Sequence, residues 1–168
     1  MELPKAMTIA FEIIGLLKLA DNEDDIQKIV IAGSIRRLRP NVNDADLVIA
    51  AKDRQKVMKD FLNIPGLVHG GRSPNGGTTV VTGFYKQLKI ELNFTSLGLF
   101  GAALLHHTGP KQWNIIMRRI AKSRGWVLSQ YGLREASDNN MLADTEDTIL
   151  KMLDMPWVPA DKRDDYKF

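Results

Sequence analysis

Two aspartates and a Gly-Ser pair are the residues of this sequence whose types and spacing could do chemistry. Asp44 and Asp46 open the apolar run at residues 47–51, and Gly33 and Ser34 lie before them with nine residues between. Such a run predicts a buried β-strand, and strand side chains alternate faces, so both carboxylates point to the same side. Backbone N–H groups at a Gly-Ser turn can bind an anion. Paired carboxylates beside such a turn predict metal-assisted chemistry on a nucleotide.

The composition excludes several kinds of site. The chain has 168 residues, 44% of them hydrophobic and 26% charged, as in a globular protein of one domain or one domain with a small lobe. It has no cysteine, which excludes disulfides and thiolate zinc sites, and only three histidines. A bound metal would therefore have oxygen ligands, which favours Mg²⁺ or Mn²⁺. No run is long enough to span a bilayer and no signal peptide is evident, so we expect a cytoplasmic, non-secreted protein with no membrane partner.

Charge is segregated along the chain, which carries a net charge of +3. Basic residues cluster at Arg36, Arg37 and Arg39 and again between Lys111 and Arg124, whereas acids gather at residues 21–25 and 144–147. Segregated charge of this kind favours a polyanion partner such as a nucleic acid. Solvated helix faces explain the same pattern equally well, so charge alone leaves both interpretations open.

Periodicity predicts alternating strands and helices in the first half and mainly helices in the second. Apolar stripes at helical spacing predict helices over residues 4–20, 53–62, 99–107, 111–124 and 145–153. Alternating or β-branched runs predict strands over residues 29–32, 46–51, 78–82 and 88–94, and a small hairpin over residues 126–128 and 131–134. Residues 161–168 are predicted to be a loose tail. The order indicates an α+β fold: a mixed or antiparallel sheet with helices on one face, plus a small, mainly helical C-terminal lobe with a short β-hairpin.

Two patterns in the strand region have competing interpretations. The glycine-rich run at residues 72–77 is similar to a phosphate loop, but no Lys-Ser or Lys-Thr pair follows it and no helix opens there. We therefore interpret it as a hairpin connection. Glu91 lies on the strand face opposite Leu88 and Ile90, where a lone glutamate is most often solvated. The two acids on a neighbouring strand nevertheless make Glu91 a candidate third carboxylate.

The Gly-Ser pair, the Asp44 and Asp46 pair and a carboxylate on a later strand together resemble the arrangement of the polymerase-β-like nucleotidyltransferases. Residues 106–121 resemble the family X DNA polymerase segment that begins Tyr-Phe-Thr-Gly-Ser, and residues 130–133 resemble the Tyr-Gly-Leu motif that follows it. Residues 155–159 are similar to the Leu-Pro-Trp-Ile-Pro ending of the bacterial form, and Leu3-Pro4 resembles the family's entry to the palm. The likeness covers almost the whole chain, in the family's order.

For the first half, the resemblance implies a nucleotidyltransferase palm and a two-metal reaction. Asp44 and Asp46 would hold both Mg²⁺ ions, which Mn²⁺ can replace. Glu91 would be the third catalytic carboxylate and metal ligand, and would help to deprotonate the primer 3′-hydroxyl. Gly33 and Ser34 would cradle the phosphates of the incoming nucleotide, and Arg37 would add positive charge there.

For the second half, the resemblance implies a lobe that checks the nascent base pair. The residues that it assigns to the nucleotide are His106, His107, Gly109 and Asn114, and those that it assigns to DNA are Lys111, Arg118, Lys122 and Tyr131. Among them, Asn114 would contact the incoming base in the minor groove and Arg118 the templating strand. The two histidines would line the sugar pocket.

Three departures from the family pattern have expected consequences. Glu91 stands where the family has an aspartate, and its extra methylene predicts lower activity or a preference for Mn²⁺. His106 and His107 replace the family's Tyr-Phe, which predicts weaker rejection of ribonucleotides. Only 32 residues precede Gly33, so we expect neither the family's lyase domain nor its helix-hairpin-helix clamp.

Together these features predict a minimal family X DNA polymerase of bacterial, viral or phage origin, with a palm at residues 1–97 and a nascent-base-pair-binding lobe at residues 98–168. We expect template-directed addition of deoxynucleotides to a primer 3′-hydroxyl, at short gaps in DNA repair. The enzyme would act as a monomer on primer-template or gapped DNA and a dNTP. The alternatives are a nucleotidyltransferase acting on RNA, a protein or a small molecule, and a catalytically impaired DNA-binding relative.

Overall fold

The computed structural model describes residues 1–70 and 79–167, so the glycine-rich run at residues 72–77 lies outside the described residues. The helices are α1 Leu3–Ala20, α2 Gly33–Arg36, α3 Arg54–Leu62, α4 Phe100–Thr108, α5 Lys111–Ser123 and α6 Glu146–Met152. The strands are β1 Ile26–Ile31, β2 Asp44–Ala51, β3 Val68–His69, β4 Val80–Tyr85, β5 Leu88–Thr95, β6 Trp126–Ser129, β7 Gly132–Glu135 and β8 Met141–Ala143. The predicted α+β fold is confirmed. None of the described helices combines the length and the apolar character needed to cross a membrane.

A mixed sheet forms the first half of the molecule. Its described strands run in the order β1-β2-β5-β4-β3, with β2 and β5 parallel and the other neighbours antiparallel. In the parallel pair, Asp44 lies beside Lys89 and Asp46 beside Glu91. This register brings the three predicted catalytic carboxylates to two adjacent strands.

Strand β2 is covered on both faces, which explains why residues 47–51 of it are an unbroken apolar run. On one face Leu47 and Ile49 join a core with apolar residues of α1 and α3. On the other face Val48 and Ala50 pack against Phe100 and Ala103 of α4. The strand that carries the two aspartates is therefore held from both sides.

Helix α4 also belongs to the core of the C-terminal lobe. Its Ala102 and Leu105 cluster with Trp113 and Met117 of α5 and with apolar residues of β7, β8 and α6. The predicted hairpin is confirmed as β6 and β7, and β8 extends it to a sheet of three strands within the described residues. Sequence patterning missed β8 because it has only three residues and follows the polar run at residues 137–140.

The prediction of a loose tail at residues 161–168 is wrong for the described part of that segment. A turn of 3₁₀-helix spans Ala160–Lys162, and Arg163 is only 2% exposed. The Tyr166 ring packs edge-to-face on Trp113, with 5.4 Å between ring centroids. The sequence of this segment is polar and predicts a tail, because the residues that it contacts are distant along the chain.

Candidate active site

The predicted nucleotide residues converge on one cavity of about 420 Å³ between the sheet and the C-terminal lobe. Its lining residues are Gly33, Ser34, Arg37, Asp44, Asp46, His106, His107, Thr108, Gly109, Lys111, Asn114 and Arg118. Every residue that the sequence assigned to the nucleotide lies in this set, together with the two aspartates. Of the predicted DNA contacts, Lys111 and Arg118 are in it.

Asp46 and Gly33 pack directly against each other at the floor of the cavity. Gly33 has a φ of +58°, and a Cβ on it would lie 2.0 Å from Oδ2 of Asp46. The Ala32 N–H donates to the backbone carbonyl of Asp46 at 2.7 Å, which joins the start of α2 to β2. Glycine is therefore required at position 33 both by its backbone conformation and by the carboxylate beside it.

The protonation of Asp46 reflects the concentration of negative charge around it. Burial first, and then the charges of Asp44 and Glu91, raise the pKa of Asp46 to about 7 against the opposing influence of Lys89 and Arg37. A divalent cation would relieve both the desolvation and the repulsion. The oxygen-only donors of Asp44 and Asp46 thus fit Mg²⁺ or Mn²⁺.

Glu91 is placed differently from the two aspartates. It is in register with Asp46, but its carboxylate accepts a hydrogen bond from Nζ of Lys89 and does not line the cavity. Within residues 1–70 and 79–167, no group of three or more histidine, aspartate or glutamate side chains is arranged to hold a metal ion. The aspartate pair therefore fits a divalent ion, while the carboxylate of Glu91 is engaged by its own strand.

Donors for an anion lie on the other walls of the same cavity. Oγ of Ser34 is buried and has no hydrogen-bond partner among the described residues. Arg37 lies beside it, and the thirteen-residue helix α5 opens onto the cavity with Lys111 in its first turn. A helix N-terminus favours negative charge, so these groups form a wall suited to phosphate.

Two consecutive arginines after the Gly-Ser turn hold the bend between α4 and α5. Arg36 donates from Nη1 to Oγ1 of Thr108 at 2.5 Å, and Arg37 donates from Nη1 to the Thr108 carbonyl. The next residue, Gly109, has a φ of +67°, a conformation that favours glycine. The Thr-Gly pair is thus a structural joint between the two halves as well as part of the cavity.

Sequence reasoning missed the acids that pair with these arginines. Glu146 accepts from Nη1 and Nη2 of Arg36, at 3.0 and 2.7 Å, and from Nη2 of Arg163 at 3.3 Å. Asp164 accepts from Nε of Arg37 at 2.9 Å. Each acid lies more than 100 residues after its arginine in the sequence, so no local pattern identifies either pair.

The adjacent histidines both line the cavity, with their ring centroids 5.0 Å apart. Burial, together with the neighbouring His106, lowers the pKa of His107 to about 4, although a hydrogen bond with Gln130 opposes this shift. His107 is therefore neutral at neutral pH. The carbonyl of His106 accepts from Nδ2 of Asn114 at 2.7 Å, which orients the amide at the cavity wall.

Two predicted DNA contacts lie outside the cavity. Tyr131, in the turn between β6 and β7, is 45% exposed and lines a separate cleft with Lys52 and Arg54. Lys122 lies on the exposed side of α5. Both positions are accessible from solvent, and their assignment to DNA stays a prediction.

Known proteins resemble this chain in sequence and in fold. Residues 103–164 match the family described as DNA polymerase beta thumb. The chain is 29% identical over 134 residues to the DNA polymerase/3′-5′ exonuclease PolX of Bacillus subtilis, covering 79% of this chain and 24% of that protein. It is 31% identical over 131 residues to the Repair DNA polymerase X of African swine fever virus (strain Badajoz 1971 Vero-adapted), covering 74% of this chain and 72% of that protein.

Two crystal structures of Leishmania infantum polymerase beta share the fold. The ternary P/T complex superposes with a TM-score of 0.80 at 19% identity, covering 97% of this chain and 76% of that one. The ternary gap complex gives a TM-score of 0.82 at 17% identity, covering 98% of this chain and 70% of that one. The fold, the thumb match and the extent of identity to the viral polymerase lead to one conclusion. The chain belongs to family X of the DNA polymerases.

Proposed function

We propose that this protein is a template-directed DNA polymerase that extends a primer 3′-hydroxyl, preferentially at short gaps. The observation that carries this proposal is the single cavity in which paired carboxylates, phosphate-binding donors and side chains of the C-terminal lobe meet. The names of the bacterial and viral relatives, which are DNA polymerases, support it. We assign residues 1–97 to a palm and residues 98–168 to a lobe that contacts the nascent base pair, in a monomeric enzyme.

Asp44 and Asp46 would hold divalent metal, with Mg²⁺ or Mn²⁺ as the ion. When bound, the ions supply positive charge to the reacting oxygens of the primer and of the leaving pyrophosphate. Glu91 would join them after releasing Lys89. Because Asp46 is crowded by Asp44 and Glu91, the site favours a cation over an empty, fully charged carboxylate cluster.

The phosphates of the nucleotide would lie against Ser34, Arg37 and Lys111. Phosphoryl transfer depends mainly on positioning and on charge stabilisation, and preorganised donors supply both without moving during the reaction. The hydroxyl of Ser34 is a ready donor because it has no partner in the described part of the chain.

The base and sugar would lie toward the C-terminal lobe. Asn114 and Arg118 are four residues apart on α5 and both reach the cavity, so one helix would examine the incoming base and the template together. An enzyme that modifies RNA, a protein or a metabolite needs no such check on a base pair. This side of the cavity therefore favours DNA synthesis over the other nucleotidyl transfers.

Primer extension on DNA with a one-nucleotide gap tests the proposal. Each dNTP is supplied alone, with Mg²⁺ or Mn²⁺, for every template base. We expect only the complementary nucleotide to be added. D44N should lower the rate at least about 100-fold, since a metal ligand contributes several kcal/mol of charge stabilisation. The exposed D165N is the control. Extension that ignores the template base would contradict the proposal.

A second candidate function is DNA binding without catalysis. The pairing of Glu91 with Lys89 favours it, because it leaves the aspartate pair without a third free carboxylate. Tight binding of gapped DNA with no extension in either metal would support this alternative. Extension that D44N abolishes would exclude it.

A further inference from the structure

The guanidinium of Arg37 is held at two of its three nitrogens. Nε donates to Oδ2 of Asp164 at 2.9 Å, and Nη1 donates to the carbonyl of Thr108. Both side chains of the ion pair are largely buried, at 14% and 17% exposure. A free arginine side chain has many rotamers, so these two contacts remove most of its freedom before any ligand arrives.

The third nitrogen of Arg37 remains for a ligand. Nη2 has no hydrogen-bond partner among the described residues, and Arg37 lines the cavity beside Gly33 and Ser34. A guanidinium oriented in this way presents an N–H pair to an anion in a fixed direction. The ion pair with Asp164 thus fixes a positive charge in the wall of the cavity that contains the proposed phosphate position.

Asp164 is itself held by the core of the C-terminal lobe. Its neighbour Arg163 is buried, donates from Nε to the carbonyl of Val158 at 3.0 Å, and lies 5.5 Å from the centroid of the Trp113 ring. Two residues after Asp164, the ring of Tyr166 packs on the same Trp113 ring. The carboxylate of Asp164 is therefore a fixed acceptor.

A carboxylate beside a phosphate-binding arginine orients the arginine but also repels phosphate. The local charges decide which of these two effects dominates. Asp164 shares its carboxylate with Arg39, whose Nε lies 3.8 Å away, as well as with Arg37. Arg36 adds a third positive charge after the Gly-Ser turn, balanced by Glu146, which in turn is shared with Arg163. One carboxylate shared by two arginines leaves a net positive charge at this contact, so orientation of Arg37 outweighs partial neutralisation.

We propose that Asp164 is a positioning residue for Arg37, through which the docked C-terminal segment sets the affinity for the triphosphate of the incoming nucleotide. The proposal rests on the nucleotide site described under the proposed function. It assigns a role in substrate binding to a segment whose sequence shows no feature of a nucleotide site.

Binding measurements separate this role from a structural one. The enzyme is mixed with Mg²⁺ and gapped DNA carrying a dideoxy-terminated primer, and the dissociation constants of the complementary dNTP and of inorganic tripolyphosphate are measured. D164A should weaken both about tenfold, since an oriented hydrogen bond to a charged group contributes that much. The affinity for gapped DNA should stay near that of the parent, whereas the melting temperature should fall because a largely buried ion pair is lost. D164N keeps an acceptor for Nε and should recover most of the loss.

Two further variants complete the design. D165A removes the adjacent, exposed carboxylate and should behave as the parent. R37A should weaken the same ligands, and D164A should add nothing in the R37A background, because a positioning residue acts only through its target.

Several outcomes would overturn the inference. Tighter binding in both D164A and D164N would mean that Asp164 competes with phosphate, and an unchanged dNTP affinity would mean that it does not position Arg37. Loss of DNA affinity and melting temperature together would make the contact structural. Absence of dNTP and tripolyphosphate binding by the parent would also reject it. A parent that binds dNTP yet extends no primer would reject the proposed function and leave the inference standing.

Discussion

Asp46 carries the strongest electrostatic signal among the individual residues. Its pKa is raised from 3.8 to about 7 by burial, Asp44 and Glu91. Between these values the folded protein keeps a proton that the unfolded chain releases, so the free energy of unfolding falls as the pH rises through this window. The carboxylate is therefore a stability cost at neutral and alkaline pH when metal is absent.

Replacing Asp46 by asparagine should remove this cost. With a chelator present, we expect the melting temperature of D46N to exceed that of the parent at about pH 8. The difference should shrink at about pH 4, where Asp46 is protonated in the folded parent and already partly protonated in the unfolded chain, whose pKa is 3.8. Thermal unfolding of D46N and of the parent at both pH values measures this difference in melting temperature. An equal difference at the two pH values would show that Asp46 does not titrate as its surroundings indicate.

His106 is the residue at which sugar selection is expected to depend on side-chain size. It lines the cavity and its carbonyl is held by Asn114. A bulkier H106Y should close the space for a ribose 2′-hydroxyl and raise the preference for dNTP over rNTP by about tenfold, the range that one steric contact supplies. Insertion of a single dNTP or a single rNTP on the same gapped DNA measures the ratio of the two insertion rates. The exposed H69Y is the matched control, and an unchanged ratio in H106Y would refute the idea.

At the scale of elements, the turn from β1 into α2 holds the carboxylate of Asp46 in place. G33A would place a methyl group 2.0 Å from Oδ2 of Asp46 at a φ of +58°. We expect it to lower the free energy of unfolding by about 1–3 kcal/mol and to impair extension, because a strained backbone and a displaced ligand act together. Urea unfolding and primer extension measure the two effects.

Gly15 provides the control within the same half of the molecule. It lies in α1, where an added Cβ would meet nothing within 4 Å. G15A should stabilise the protein by about 0.5–1 kcal/mol, because alanine loses less conformational freedom in a helix. An equal fall in the free energy of unfolding in G15A and G33A would show that the turn does not require glycine at position 33.

At the scale of the whole molecule, Glu146 joins the two halves. Its carboxylate binds Arg36 of α2 and Arg163 of the C-terminal segment, and the side chain of Arg163 is fully buried. E146A would leave two arginines without their acid, a change that costs about 3–5 kcal/mol for a buried pair. We expect a fall of this size in the free energy of unfolding, measured with denaturant.

The neighbouring Asp147 allows a matched comparison for Glu146. It forms an exposed i,i+4 pair with Lys151 in the same helix. D147A should cost at most about 0.5 kcal/mol, because solvent screens an exposed pair. Similar effects of E146A and D147A would show that the bridge between the halves contributes little.

Local patterning predicted most of the helices and strands, and it singled out the paired aspartates and the Gly-Ser turn. Asp44 and Asp46 had to share a face because they are two residues apart on a strand. The nine residues between Ser34 and Asp44 only limit how far the Gly-Ser turn can lie from them, and the antiparallel pairing of β1 with β2 brings the two together. The apolar periodicity predicted α1, α3, α4 and α5 for the same reason, since each depends on neighbours within a few residues.

Only the tertiary structure decided the contacts between distant residues. The register of β2 with β5 placed Glu91 beside Asp46, while the choice of Lys89 as the partner of Glu91 depends on side-chain packing. Likewise, the pairing of Arg37 with Asp164 spans 127 positions and brings a predicted tail against a residue that lines the cavity. Sequence spacing determines what lies on one element, but packing of whole elements determines which charges meet, because burial makes each of them find a partner.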